Sequence, residues 1–243
     1  MASSDRRPAG NALARRLDSP DEAGALRDAI AWLLSGDAQS EVDAIVSAVA
    51  SADAPEFGAE LATARRIIGD ADPGDPGIVV ALLMNLVTLR RGEAIFVPAG
   101  VLHAYLEGLG VELMAASDNV LRGGLTPKHI DVAELLTVLD PTPGPPPILR
   151  PALLAGGIER FDPGVPDFAL LHVRVTDDAP VDVPITGVAI ALATRGSVDI
   201  SGGASAEHAT LIPGAAVLAT EDERMLRLRG SGEVFVAVPG ATG

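Results

Sequence analysis

The residues best suited to acid–base or anion-binding chemistry are concentrated in one stretch of this 243-residue chain. Its single lysine, Lys128, and its single tyrosine, Tyr105, lie there with His103 and His129, two of its four histidines. Positive charge elsewhere comes from arginine, which stays protonated, whereas lysine is a compact charge that titrates more readily. One lysine must lie somewhere by chance, but its clustering with these rare types favours a polar functional site.

A turn followed by a histidine begins that stretch. The order Gly92, five residues, Pro98, one residue, Gly100, two residues, His103 resembles the second motif of the cupins. In cupins this histidine points into a β-barrel and binds a metal, and the resemblance implies the same role for His103. Glu107 stands where the motif usually ends in asparagine. Taken alone, a histidine after a turn is more often structural or exposed.

The sequence from 103 to 128 closely resembles the type I phosphomannose isomerases, also called type I mannose-6-phosphate isomerases. The matching pieces are His-Ala-Tyr, then Glu-x-Met-Ala-x-Ser-Asp-Asn-Val-x-Arg-x-Gly, then Leu-Thr-Pro-Lys, in that order. The resemblance is weaker over 19–141, and beyond 150 it covers only the general layout. It implies an isomerase that interconverts mannose 6-phosphate and fructose 6-phosphate with one Zn²⁺ ion.

The resemblance also implies roles for five residues. His103 would be the last zinc ligand and Arg122 the catalytic arginine, while Tyr105, Glu112 and Lys128 would line the sugar-phosphate pocket. Aldose–ketose isomerisation moves a proton between C1 and C2 through an enediol, so a cation must stabilise the developing oxyanion. Lysine and arginine also hold phosphate. The proton-abstracting base stays open, with Glu112 one candidate if its pKa is raised.

The zinc ligands other than His103 are missing from the pattern. The family takes them from a Gln-x-His pair and a glutamate in an earlier stretch, but here no histidine precedes His103 and the only glutamine is Gln39. Zinc sites use three or four protein ligands, so one histidine predicts weak zinc binding. His172 and His208 are predicted to be surface residues and do not restore the set.

These observations leave three functional hypotheses. The first is a mannose-6-phosphate isomerase that apparently lacks its N-terminal part, and the second is an inactive cupin-type remnant that binds sugar phosphate or a partner. The third, a cupin with an unrelated role such as sugar sensing, is disfavoured by the Ser-Asp-Asn-Val-x-Arg run. Strands left without their partners would expose an apolar edge. A separate polypeptide that carries the family's N-terminal part, or self-association of this chain, would cover that edge.

Periodicity predicts a mainly β fold with a helical subdomain, that is, cupin or jelly-roll barrel elements plus an α-helical insert. Residues 1–18 are predicted to be a flexible tail and 19–71 a helical subdomain, with Ser19 capping its first helix. Residues 72–140 would form the C-terminal portion of the catalytic cupin domain. Its strand-like runs are 85–89, 94–97, 103–106 and 111–115, and a short helix begins at Asp131 with a capping box.

The remainder of the chain is predicted to be a linker and a β domain. Prolines at 141–149 predict a stiff linker. Residues 150–243 alternate apolar and polar side chains between closely spaced turns, which is typical of a small cupin-like β domain.

Composition excludes several classes of function. With 33 acidic and 18 basic residues the net charge is −15, which disfavours binding to nucleic acids and to anionic membranes. No apolar run is long enough to span a membrane, no signal peptide is visible, and cysteine is absent, which together favour a cytoplasmic protein. The expected partner is a small sugar phosphate, which a local positive site must bind against the acidic background.

Overall fold

A computed structural model of the chain describes residues 10–117, 120–205 and 207–241. The chain forms two compact units. Unit 1 comprises Met1–Thr88, Val97–Leu106 and Asn119–Pro146, and unit 2 comprises Leu89–Phe96, Glu107–Asp118 and Pro147–Gly243. The last passage from unit 1 to unit 2 falls between Pro146 and Pro147, inside the Pro-rich stretch.

Unit 1 is helical. Its helices are α1 (Asn11–Leu17), α2 (Glu22–Leu34), α3 (Gln39–Ser51), α4 (Gly58–Asp70), α5 (Gly77–Leu82) and α6 (Val132–Val138). Helix α6 begins as predicted, because the Asp131 carboxylate accepts a hydrogen bond from the Glu134 amide at 3.0 Å. Helix α2 begins differently: Asp21, not Ser19, is its N-cap residue and accepts from the Gly24 amide at 3.0 Å.

The helices of unit 1 share one apolar core. Leu33 of α2, Val42 of α3 and Val79 of α5 are fully buried together, and Leu139 joins them just after α6. The Arg27 guanidinium fixes α2 to the end of α6 by donating to the Leu139 carbonyl at 2.7 Å. Because this core includes α5 and α6, the helical unit continues across the predicted 71/72 boundary.

Part of the predicted N-terminal tail is helical. Residues 11–17 of the 1–18 segment form α1, and residues 1–9 lie outside the described residues. Leu13 packs against the core of unit 1, and the Arg16 guanidinium carbon lies 4.2 Å from the centre of the Trp32 ring. These contacts anchor a segment whose polar composition had predicted a tail.

Unit 2 is built from antiparallel strands. A two-stranded sheet pairs β1 (Ala94–Ile95) with β2 (Ile148–Leu149). The larger sheet contains β3 (Ala152–Leu153), β4 (Glu159–Phe161), β5 (Ala169–Val175), β6 (Val181–Pro184), β7 (Ala189–Gly202), β8 (His208–Leu211), β9 (Ala216–Ala219) and β10 (Met225–Val238). Its order is β3-β4-β5-β10-β7-β8, with β6 also on β10 and β9 also on β7.

Strands β7 and β10 organise this sheet. Each is 14 residues long and pairs with the other along most of its length. Alternate residues of both, such as Ala191 and Ala193 of β7 and Leu226 and Leu228 of β10, are buried in one core, as period-two alternation requires. The prediction of a mainly β chain with a helical part is confirmed.

Most strand-like runs in residues 85–115 are not strands. Only Ala94–Ile95 is paired, and the described residues 85–89, 103–106 and 111–115 have no regular structure. A segment becomes a strand only when a neighbouring segment forms backbone hydrogen bonds with it.

No helix among the described residues is long and apolar enough to cross a membrane.

The prediction that His172 is a surface residue is wrong. His172 is only 5% exposed, its Nδ1 lies 2.6 Å from a Glu159 carboxylate oxygen, and its ring stacks on Phe235 at 4.6 Å between centroids. Alternation correctly placed it on the opposite face from Leu171 and Val173. The alternation of apolar and polar residues could not indicate that the face of β5 that bears His172 is also covered at this residue. His208 is exposed, as predicted, at the start of β8.

Candidate functional site

The turn before His103 requires glycine. Gly100 has φ 85° and its carbonyl accepts from the Asp140 amide at 2.9 Å, while the Val101 amide donates to the Pro98 carbonyl at 3.3 Å. A Cβ atom on Gly100 would collide with the Val138 carbonyl oxygen. The Pro-x-Gly turn is therefore held against the end of α6, and it sets the direction in which the chain reaches His103.

His103 and Tyr105 lie side by side on an exposed segment without regular structure. Their rings meet edge to face with centroids 5.8 Å apart, and Tyr105 is 71% exposed. His103 Nδ1 lies 3.2 Å from the Val101 carbonyl oxygen. When Nδ1 donates to this oxygen, Nε2 presents a lone pair, which is the state that metal binding requires.

A packing contact places the His103 segment beside the Arg122 segment. Leu102 packs against the core of unit 1. A Cβ atom added to Gly123 would lie 3.2 Å from the Cδ2 atom of Leu102. His103 follows Leu102 in the chain and Arg122 precedes Gly123. The fold thus brings together two neighbourhoods that the sequence separates by about twenty residues.

Arg122 and Lys128 are available to bind an anion. Arg122 is half-buried and Lys128 is exposed. Within the parts of the chain that the structure describes, neither side chain forms an ion pair, and Arg122 has one long contact of 3.4 Å to the Val120 carbonyl. Asp118 and Asn119 of the matching motif lie outside the described residues. Two cations are thus presented in a chain of net charge −15.

A carboxylate that the sequence did not single out fastens the loop between these cations. Asp75 accepts from the Leu125 amide at 2.9 Å and from the Gly77 amide at 2.7 Å. In the sequence it is marked only by its place in the run Asp72-Pro73-Gly74-Asp75-Pro76-Gly77, whose composition is typical of turns. Lys128 is held less directly, through its own amide, which donates to the Thr126 hydroxyl at 3.2 Å.

Glu112 belongs to the other unit. It lies in the 107–118 segment of unit 2 and is exposed, whereas the other four predicted site residues belong to unit 1. Its predicted place in the substrate pocket therefore stays a prediction.

The described residues do not supply a zinc site. Among them, no group of three or more histidine, cysteine, aspartate or glutamate side chains is placed to hold a metal ion. His103 offers one nitrogen, and a stable zinc site takes three or four protein ligands. The donor set of the described residues therefore does not fit a resident zinc ion.

Comparison with known proteins identifies relatives of one kind. No protein-family model matches the chain. Mannose-6-phosphate isomerase of Rattus norvegicus is 48% identical over 107 residues, which make up 42% of this chain and 25% of that protein. Mannose-6-phosphate isomerase of Escherichia coli K12 is 32% identical over 224 residues, which are 92% of this chain and 56% of that protein. The chain thus spans about half the length, or less, of these relatives.

Solved structures agree with the sequence comparison. The apo form of mannose 6-phosphate isomerase from Salmonella typhimurium matches 97% of this chain with a TM-score of 0.78 and 28% identity, and 60% of that chain is covered. The same enzyme bound to fructose 6-phosphate and zinc matches equally well, with a TM-score of 0.78.

Proposed function

Since this chain belongs to the mannose-6-phosphate isomerase family over the part of those proteins that it spans, we propose that it serves in the interconversion of mannose 6-phosphate and fructose 6-phosphate. Its contribution is the cationic part of the site. The observation that carries this proposal is the pair Arg122 and Lys128, which occupy one loop and form no ion pair with a described carboxylate. One sugar phosphate could pair with both, with its phosphate on one cation and a sugar oxygen on the other.

The two cations suit different tasks. Lys128 is exposed at the end of the loop and can bind the phosphate as a compact charge. Arg122 is half-buried beside the His103 segment, where partial exclusion of water strengthens its interaction with an enediolate oxygen. An arginine serves there without titrating. Tyr105 and Glu112 are proposed to contact the sugar, and His103 to donate one metal ligand.

Isomerisation requires more than the described residues provide, because His103 is their one proposed metal ligand and they contain no group of three or more side chains placed to hold a metal ion. We infer that the remaining ligands come from the part of the family's chain that this sequence does not span. Exposed large side chains of unit 1 support a missing cover, supplied by that part or by self-association. They include Leu86, Tyr105 and Val120. A cytoplasmic location, supported by the absence of cysteine, completes the proposal.

A second function is favoured by the same shortage of metal ligands. A chain that holds Arg122 and Lys128 without a metal would bind sugar phosphate and not isomerise it. The two functions share the binding site and differ in turnover, so binding and turnover must be measured separately.

Binding is tested with fructose 6-phosphate and the 243-residue chain in a calorimeter. We expect saturable binding that Arg122→Gln or Lys128→Gln each weakens by roughly 10- to 100-fold, because each loses a charged hydrogen bond. Arg174→Gln is the matched control. Arg174 is exposed on β5 and its loss changes the net charge equally. Equal weakening by all three variants would mean that affinity depends only on the net charge of the protein, and the proposed site would be wrong.

A further inference from the structure

The Asp75 carboxylate joins two distant segments of unit 1. One oxygen accepts from the Gly77 amide at 2.7 Å, at the start of α5, and the other accepts from the Leu125 amide at 2.9 Å, fifty residues away in sequence. Asp75 is half-buried and α5 beneath it lies in the core. The carboxylate thus ties the loop that holds Leu125 to a buried helix of the unit.

The loop needs such a tie because its backbone is strained. Leu125 has φ 55°, in the left-handed region that a leucine rarely adopts, and Gly124 before it has φ 131°. Such a conformation persists only where surrounding contacts fix it. Close packing adds to the hydrogen bond, since a Cβ atom on Gly77 would lie 2.7 Å from the Gly124 Cα atom.

Leu125 lies midway between the two cations of the proposed site. Arg122 precedes it by three residues and Lys128 follows it by three. The position of the Leu125 amide therefore governs the direction in which the chain leaves Arg122 and reaches Lys128. Each Asp75 oxygen accepts a hydrogen bond from a backbone amide, and these contacts point to a role in holding the backbone.

We propose that Asp75 is a positioning residue that sets the spacing of Arg122 and Lys128 for a sugar phosphate. It does so by accepting the hydrogen bond of the Leu125 amide, which holds the backbone of Leu125 in the left-handed conformation. The proposal rests on the function proposed above, because it assumes that the two cations bind one ligand. It adds a residue from outside the 103–128 stretch, and it explains why the tight turn before α5 carries an aspartate.

Asp75→Asn tests the tie with little change in volume. The amide side chain has one acceptor oxygen, and its NH₂ group would face the second backbone amide, so one of the two hydrogen bonds is lost. Asp21→Asn is the matched control. It makes the same charge change in unit 1, and asparagine caps a helix as well as aspartate.

The first readout needs no ligand. In ¹H–¹⁵N spectra, Asp75→Asn is expected to speed hydrogen exchange at the Leu125 amide and to shift the amides of 120–128, while Asp21→Asn leaves them unchanged. If Asp75→Asn perturbs only residues near Gly77, the proposed tie to the cation loop is overturned, whatever the protein binds.

The second readout is affinity for fructose 6-phosphate at a temperature where circular dichroism shows every variant to be folded. Asp75→Asn is expected to weaken binding by about tenfold, as misplacement of binding groups by a remote change can do. In a Lys128→Gln background the same change should have little further effect, because contacts that act through one another are not additive. A full tenfold loss in that background would indicate a general structural role and overturn the proposal.

The two proposals fail in different ways. If Arg122→Gln and Lys128→Gln bind like the unaltered chain, the proposed function is wrong. If those variants lose affinity while Asp75→Asn keeps it, the function stands and the positioning role of Asp75 is wrong.

Discussion

Arg122→Ala is expected to lower kcat for mannose 6-phosphate by about 10²- to 10³-fold in a chimera that completes the site, because it removes a preorganised cation at the developing oxyanion. The chimera joins this chain behind the part of the Escherichia coli enzyme that it does not span, since the two proteins are 32% identical over 224 residues. The side chain is half-buried and makes one long hydrogen bond, so its removal should leave the fold intact. A coupled assay for fructose 6-phosphate measures the rate.

Arg174→Ala in the same chimera is the control for loss of one positive charge. Its kcat should stay within about twofold of the unaltered chimera, because Arg174 lies on β5, outside the proposed site. An Arg122→Ala chimera that keeps its full rate would show that this arginine is not catalytic and that the transfer of roles from the family is mistaken.

Gly77→Ala is expected to lower the free energy of unfolding by about 1–3 kcal/mol, the usual cost of overfilling a packed site. Its new Cβ atom would lie 2.7 Å from both the Gly124 Cα and the Leu125 amide nitrogen, and backbone atoms cannot rotate aside. Either the start of α5 or the loop that bears Arg122 and Lys128 must therefore move. Chemical denaturation followed by the fluorescence of Trp32, in α2 of the same unit, measures the change.

Gly69→Ala provides the opposite control. Gly69 lies in α4, and its added Cβ would meet no atom within 4 Å. Alanine there should stabilise the helix by about 0.5–1 kcal/mol, because it restricts the unfolded chain and suits a helix. If both variants shift stability in the same direction, the close approach of Gly77 and Gly124 does not constrain the fold.

Local signals explain how much of the fold could be predicted from the sequence. The N-cap at Asp131 and the alternation in β5 and β10 depend on neighbours a few residues apart, and both appear in the structure. Helix α5 was not predicted. Its six residues are apolar on every side, so their pattern carries no helical period, and only burial against Leu33 and Val42 accounts for it.

The candidate site depends on long-range contacts that a sequence pattern does not give. Spacing and resemblance predict roles for His103 and Arg122, and these stay predictions. The fold adds that their neighbours Leu102 and Gly123 lie in contact. Asp75 could not be identified, because its partner Leu125 is fifty residues away and hydrogen bonds through a backbone amide, which every non-proline residue has.

We propose that this chain holds the cationic part of an isomerase site and lacks the residues that complete it. The most direct test is isomerisation of mannose 6-phosphate by the purified 243-residue chain with added Zn²⁺, beside the chimera, with the zinc content of both measured. We expect turnover and about one zinc per molecule for the chimera, and neither for the chain alone. Turnover by the folded chain alone, at a rate near that of the chimera, would contradict this proposal.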